Sequence, residues 1–443
     1  MKLKTLIRGG TVVSMDPAIG VVEDGDVLVD GDTITAVGRS IDTGTSVVKV
    51  IDASGMLVIP GLIQTHVHLV QTLFRGAADD LDLLEWLRGR IWPLEGAMDE
   101  ASTRVAARLG LAELIASGTT TILDMGCVHH TDALYEEAGA AGIRAVIGKL
   151  MMDAGQGVPF GLREKTAASI AEALRLLKKY NHSFGGRIRF AFAPRFALSC
   201  SDDLLREAAS LAKKHGVVFM THASENPTET DIVHEQRGIE NVTYLIELGA
   251  AGENTFLAHC IWLSAHDMRL LRETRTRVVH CPSANLKLGS GIAKVPEMAA
   301  AGINVTLGAD GAPCNNNLDV WNEMRLAALI HKPRVGVTSM DAKTVFAMAT
   351  STAAEALGMR GQIGCLRPGA RADVVLVRED GPHVLPAGDV YGRLVYAHRA
   401  ADVHTVIVDG RTLYRDGNWL TIETPRVRRD AITEYRRISE KAL

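Results

Sequence analysis

The chain has 443 residues, 47% of them hydrophobic, and a formal net charge of −4 with acids and bases intermixed. That is ample for a sizeable core, whether as two or three domains or as one large barrel with a small companion. With no basic block and no acidic tail, the charge pattern argues against a nucleic-acid or highly charged partner.

The opening MKLKTLIRGGTVV lacks the apolar core of a signal peptide, and no uninterrupted apolar run is long enough to span a bilayer. The expectation is a cytoplasmic protein with no membrane partner. Six cysteines (Cys127, Cys200, Cys260, Cys281, Cys314, Cys365) form no CxxC pair, so reduced thiols are expected.

The first elements read as strands. LIRGGTVVSM, DGDVLVDGDTITAVG and VVKVIDASGMLVI are β-branched runs broken by Gly and Asp turn signals. The centre then alternates. Apolar runs (MLVIPGLIQTH, TTTILDM, RAVIGKLMMD, RIRFAFAPR, VVFMTHAS, TFLAHC, RVVHCP, INVTLGAD) are separated by helical patterns such as STRVAARLGLAELIASG, TAASIAEALRLLKKYN, DDLLREAASLAKKHG and AHDMRLLRETR. Continuous apolar strands alternating with amphipathic helices predict parallel βα units. Eight units fit between residues 57 and about 360, somewhat more than the roughly 250 residues of a typical (β/α)8 barrel. A doubly wound open sheet is the alternative, but no GxGxxG follows the first strand. The chain then returns to β-rich ADVVLVRE and DVHTVIVDGRTLYRDGNWLT. The predicted architecture is α/β: a (β/α)8 barrel over 57–363, beside a composite β-sandwich built from 1–56 and 364–443.

In such a barrel the chemistry lies at the C-terminal ends of the strands. Strand 1 ends in His66 and His68, strand 4 in Arg195, strand 5 in His222 with Glu225 three residues on. Strand 6 ends in His259, strand 7 in His280 and strand 8 in Asp310. One histidine closing a buried strand is most simply a hydrogen-bonded core residue. Several polar residues at one rim point instead to a shared task, because each is costly to bury alone. Residues i and i+2 of a strand face the same side, so His66 and His68 can both reach one ion. With His222 and Asp310 they make four protein ligands suited to Zn²⁺, leaving a place for water, whose pKa the metal lowers. Glu225 and His259 are the acid–base candidates.

At these residues the sequence resembles the amidohydrolase superfamily, through PGLIQTHVHL, GTTTILDM, THASE, AHC, HCPSANLKLGSG, GADGAPCNNN and GARADVVLV, across essentially the whole chain. The resemblance implies a metal-bearing distorted (β/α)8 barrel and narrows, through the HxxE of His222–Glu225, to the deaminase branch. There it implies one metal per chain, usually Zn²⁺ with Fe²⁺ or Mn²⁺ as alternatives, held by His66, His68, His222 and Asp310. It also implies that Glu225 carries a proton to a ring nitrogen, His259 hydrogen-bonds the attacking hydroxide and Asp310 accepts its proton. A homo-oligomer, dimer or tetramer, is implied as well.

The nearest resemblance is to methylthioadenosine/S-adenosylhomocysteine and 5′-deoxyadenosine deaminases, through QTLFRGAADDLDLLEWLRGRIWPLE and GADGAPCNNNLDVWNEMRLAALIHK. It implies that Glu95 holds ribose hydroxyls and Trp86 packs near the nucleoside. Gln71 and Arg195 resemble guanine deaminases instead. A donor-only arginine beside a glutamine suits a carbonyl-bearing ring. A pterin or aminotriazine is a further alternative, since Gln71 also occurs in triazine-hydrolysing relatives.

Two other classes stay open. A binuclear amide hydrolase needs a carboxylated lysine, for which Lys149 is the one candidate; otherwise Lys149 lines the substrate pocket or meets a carboxylate. A non-catalytic scaffold has no need of the intact ligand set. His129 and His130 read as loop residues, His280 as supporting the site, Cys260 and Cys281 as buried packing residues. Asn315, Asn316 and Asn317 read as shaping a loop through local hydrogen bonds.

Overall fold

The computed structural model describes residues 4–44, 48–386 and 388–442. Its strands are β1 (Lys4–Val13), β2 (Val21–Asp30), β3 (Thr33–Arg39), β4 (Val48–Asp52), β5 (Met56–Pro60), β6 (Leu62–His68), β7 (Thr119–Cys127), β8 (Arg144–Met151) and β9 (Ile188–Pro194). They continue as β10 (Val218–Ala223), β11 (Thr255–His259), β12 (Arg277–His280), β13 (Val305–Leu307), β14 (Asp310–Gly311), β15 (Val374–Arg378), β16 (Val403–Val408), β17 (Arg411–Arg415) and β18 (Asn418–Trp419).

Two nine-stranded sheets result. One, in the order β18-β17-β16-β15-β5-β1-β2-β3 with β4 beside β1, draws on both ends of the chain. It is a single hydrogen-bonded path folded on itself. Ile7, Val27, Val29 and Val58 pack in one cluster with Val374, Leu376 and Ile407, as the inner faces of a sandwich do.

The other sheet is parallel, in the order β13-β12-β11-β10-β9-β8-β7-β6-β14. Only Gly308 and Ala309 separate β13 from β14, so these are two halves of an eighth strand. The first half pairs with β12 and the second with β6, which closes the barrel. Thr65 and Thr306 hydroxyls meet at 2.6 Å across the seam. Gly308 is required there, because a Cβ would lie 2.5 Å from the His66 carbonyl oxygen.

The helices follow their predicted segments. Asp202–His215 shows why: Ser201 caps it by accepting from the Leu204 amide, and Asp202 and Asp203 sit in its first turn. Lys213, Lys214 and His215 sit in the last, and Gly216 ends it at φ +63°. Its buried face is Leu204, Leu205, Ala208, Ala209 and Ala212.

One element departs from the β-rich ending expected. Thr424–Ala442 is a long helix. It buries only Val427, Ala431 and Ile438, and the last two pack with Leu73, Phe74, Leu94, Val105 and Ala106 of the barrel periphery. A helix this polar offers too sparse an apolar stripe to stand out in sequence. Among the described residues no helix is long and apolar enough to cross a membrane.

Candidate metal centre and pocket

Strand alternation decides which side chains reach the barrel mouth. In β8, Val146 and Leu150 pack inside the barrel with Met125, Met220, Phe256 and Val279. Ala145, Ile147 and Met151 pack outside, against the helices. In β6, Ile63 also packs inside. Strict alternation from Ile63 would turn His66 and His68 outward. The pairing of β6 with β7 shifts register between Gln64 and Val67, and beyond the shift Val67 joins the outer layer. His66 and His68 consequently converge on the mouth.

His66, His68, His222 and Asp310, all buried, bring one donor atom each to within 4.8 Å of one another. Nε2 of His66 and Nε2 of His68 each lie 3.3 Å from Asp310 Oδ1. Nε2 of His68 and of His222 face each other at 3.2 Å. His222 Nδ1 donates to the Arg195 carbonyl oxygen at 2.6 Å, which leaves its Nε2 with a lone pair turned to the cluster. Burial keeps His68 below and His222 well below the ordinary imidazole range. Burial would raise Asp310, but the imidazoles of His66 and His68 beside it outweigh that and hold the carboxyl well below its usual range. Neutral imidazoles around a carboxylate are the ligating forms. His66 Nε2 is buried without a hydrogen-bond partner among the described residues. The donor set fits a divalent metal ion.

The acid–base candidates stand beside it. His259 Nε2 lies 3.5 Å from Glu225 Oε2 and 3.8 Å from Asp310 Oδ2. Its Nδ1 meets Asn285 Oδ1 at 2.8 Å. Burial, with Asp310 and Glu229 nearby, pushes Glu225 well above the usual carboxylate range. His259 and Asp310 hold φ of 72° and 64°, and Ser224, between His222 and Glu225, holds 49°. Backbone of this kind concentrates where function over-determines it.

A pocket opens onto these groups, lined by His68, Gln71, Leu83, Trp86, Leu87, Arg195, Phe196, His222, Glu225, Leu288 and Asp310. Gln71, Trp86 and Arg195 thus line the pocket. Glu95 is not among the lining residues. Arg195 Nη1 donates to Glu95 Oε2 at 2.5 Å, Arg195 Nη2 to Oε1 at 3.3 Å, and Gln71 Nε2 to Oε1 at 2.9 Å. The ribose-holding carboxylate expected from sequence thus sits behind the two residues expected to read a ring. A buried guanidinium needs an anion, and Glu95 supplies it.

Of the roles left open for Lys149, the structure shows it meeting a carboxylate, not lining the substrate pocket. It lies between Gly148 and Leu150 on the outward phase of β8. Its Nζ donates to the Leu150 carbonyl oxygen at 2.7 Å and to Glu164 Oε2 at 2.8 Å. It neither lines the pocket nor joins the metal donors, so it is unsuited to bridge two ions or to touch substrate.

His129 and His130 are exposed loop residues, with His129 Nε2 donating to the Gly161 carbonyl oxygen. His280 is buried beside His331, and burial takes it down to about 3. Asn315 Nδ2 donates to Ala309 O and Glu323 Oε1, and Asn317 Oδ1 accepts from the Asp319 amide, which shapes the loop locally.

Three supporting residues escaped the sequence reading. Asn285 orients His259. Asp124 Oδ1 accepts from the Leu69 amide at 2.8 Å and so pins the residue after His68. Glu229 accepts from the Glu225 amide at 2.8 Å and from Asn241 at 2.8 Å. A signal for Glu229 was present: Asn226 and Glu229 have the spacing of a capping box, and they form one.

The amidohydrolase family profile matches residues 57–413. A 5′-deoxyadenosine deaminase from Methanothermobacter thermautotrophicus is 40% identical over 405 residues, 91% of this chain and 92% of that protein. A 5-methylthioadenosine/S-adenosylhomocysteine deaminase from Thermococcus onnurineus is 38% identical over 415 residues, 94% and 95% of the two chains. A crystal structure of an adenosine deaminase from Xanthomonas campestris with bound zinc has a TM-score of 0.93 at 28% identity and covers 99% of each chain.

Proposed function

The chain belongs to the amidohydrolase family, and from that premise we propose that it is a zinc-dependent aminohydrolase of purine nucleosides of the 5′-deoxyadenosine, methylthioadenosine or S-adenosylhomocysteine type. The observation that carries the chemistry is the three-histidine, one-aspartate donor set with Glu225 and His259 on its pocket side. The substrate class rests on the names of relatives that align across nine-tenths of the chain.

A divalent ion held by His66, His68, His222 and Asp310 supplies Lewis acidity that lowers the pKa of water. His259 Nε2 hydrogen-bonds the attacking oxygen, and Asp310 Oδ2 takes up its proton. Glu225, its carboxyl pushed up by burial, delivers a proton to the ring nitrogen beside the amino-bearing carbon. One water adds to that carbon, the proton held by Asp310 passes to the amino group, the C–N bond breaks and ammonia leaves, and the remaining hydroxyl proton returns to Glu225 as the ring carbonyl forms. Leu83, Leu87, Phe196 and Leu288 give the flat ring apolar walls. Trp86 Nε1 and Gln71 Oε1, both buried and without a hydrogen-bond partner among the described residues, offer it one donor and one acceptor.

A second reading, a guanine-type base, is favoured by Arg195 and Gln71 standing together in the pocket wall. The experiment is turnover of 5′-deoxyadenosine by the zinc-loaded protein in oxygen-18 water. The expected result is one ammonia per nucleoside, with the label in the new ring carbonyl. Absence of ammonia from all three nucleosides would reject the nucleoside reading.

A further inference from the structure

Asp310 presents its two oxygens to two different donor sets. Oδ1 faces His66 and His68 at 3.3 Å each. Oδ2 faces His259 Nε2 at 3.8 Å. Cys281, the residue after β12, completes that second set: donor atoms of His259, Cys281 and Asp310 all lie within 4.8 Å of one another, and all three residues are buried. His259 and Cys281 are wholly inaccessible, and Asp310 is 5% exposed. His259 Nε2 has no hydrogen-bond partner among the described residues, while its Nδ1 is fixed by Asn285. It is an oriented nitrogen with the Glu225 and Asp310 carboxylates at 3.5 and 3.8 Å, and the Cys281 thiol belongs to the same cluster. The neighbouring thiols are committed elsewhere: Cys314 Sγ donates to the Gly311 carbonyl oxygen and Cys260 Sγ to that of Leu257.

We propose that His259, Cys281 and Asp310 form a second, thiolate-containing site for a zinc-like divalent ion, sharing Asp310 with the first site, and that its occupation inhibits the enzyme. One imidazole, one sulfur and one carboxylate oxygen are three ligands of the kind zinc takes, and sulfur biases the site toward thiophilic ions over magnesium or calcium. Binding forms a metal–sulfur bond and breaks the S–H bond, with the thiol proton passing to solvent. With three protein donors against four, this is the weaker of the two sites. The inhibition, which rests on the reaction proposed above, follows because the second ion takes His259 Nε2 and Asp310 Oδ2, the two atoms that orient and deprotonate water.

The test is titration of the metal-free protein with Cd²⁺, followed by near-ultraviolet thiolate-to-cadmium absorption and by equilibrium dialysis. The expected result is two ions per chain, with the absorption rising only during the second equivalent. Cys281→Ser should bind one ion and lose the band. With Zn²⁺, excess metal should suppress deamination by the unaltered protein and spare Cys281→Ser. Cys281→Ala serves as the second variant, and the order of band and stoichiometry in the unaltered protein stands without either. A single equivalent, a band during the first equivalent, or two equivalents retained by Cys281→Ser would overturn the proposal. The binding readout is independent of the substrate, so failure of the nucleoside reading leaves it intact.

Discussion

Arg195, in the wall of the metal pocket, forms a buried ion pair with Glu95 behind it, and Gln71 donates to the same carboxylate. Removing one member strands the other. Arg195→Met should lower stability by about 3–5 kcal/mol, as loss of one partner of a buried pair does. Arg195→Met with Glu95→Leu should recover most of that loss. Urea unfolding of the single and double variants checks it, and equal loss in both would refute the coupling.

Glu225 is the proposed proton carrier and lies outside the four-ligand set. Glu225→Gln should lower kcat by roughly 10²–10⁴-fold, the usual contribution of a positioned acid or base. Metal content should stay unchanged, read by elemental analysis. Loss of the metal along with activity would mean that Glu225 is a ligand.

Much of the site was legible because strand ends in a barrel share one rim, so His66, His222, His259 and Asp310 could be brought together on the page. Their spacing did not reveal the register shift that turns His66 and His68 inward against the phase set by Ile63. Lys149 was left between pocket and carboxylate for the same reason: without a side assigned to each strand residue, an outward lysine and an inward one look alike. The Glu95–Arg195 pair joins positions 100 residues apart and has no local signature. The C-terminal helix was hidden by its sparse apolar stripe.

Glu323 links the Asp310 loop to the neighbouring helix, accepting from Ser283 N, Ser283 Oγ and Asn315 Nδ2. Burial pushes its carboxyl up to about 7, from an ordinary 4.5. A carboxyl raised on folding stabilises in its protonated form. Its contribution is complete below pH 4.5 and is lost as pH rises through 7, a change on the order of 3 kcal/mol. Glu323→Gln should therefore show a smaller fall in stability between pH 5 and pH 8 than the unaltered protein, measured from urea midpoints. Equal falls would show that Glu323 does not titrate in this window.

Arg144, at the start of β8, ties the barrel to the terminal sheet through Asp373 at 3.1 Å and Asp409 at 2.7 Å. Arg144→Ala leaves the buried Asp373 without its cation, while the half-buried Asp409 keeps Arg187 at 3.7 Å, and should cost about 3–5 kcal/mol. KM for the nucleoside should be unchanged, since Arg144 does not line the pocket. A KM shift with stability intact would overturn this assignment.

Chelation should abolish deamination and lower Tm, because a ligand bound only to the folded state stabilises it. One equivalent of Zn²⁺ should restore both. Full activity after metal removal, verified by elemental analysis, would rule out the metal-dependent reading.

The central claim is that this pocket deaminates an aminopurine nucleoside. The direct measurement is ammonia release by the zinc-loaded protein from 5′-deoxyadenosine, methylthioadenosine, S-adenosylhomocysteine, adenosine and guanine, compared as kcat/KM. The account predicts the highest values for the first three and the lowest for guanine. Guanine turned over in preference to every nucleoside, or no ammonia from any of the five, would contradict it.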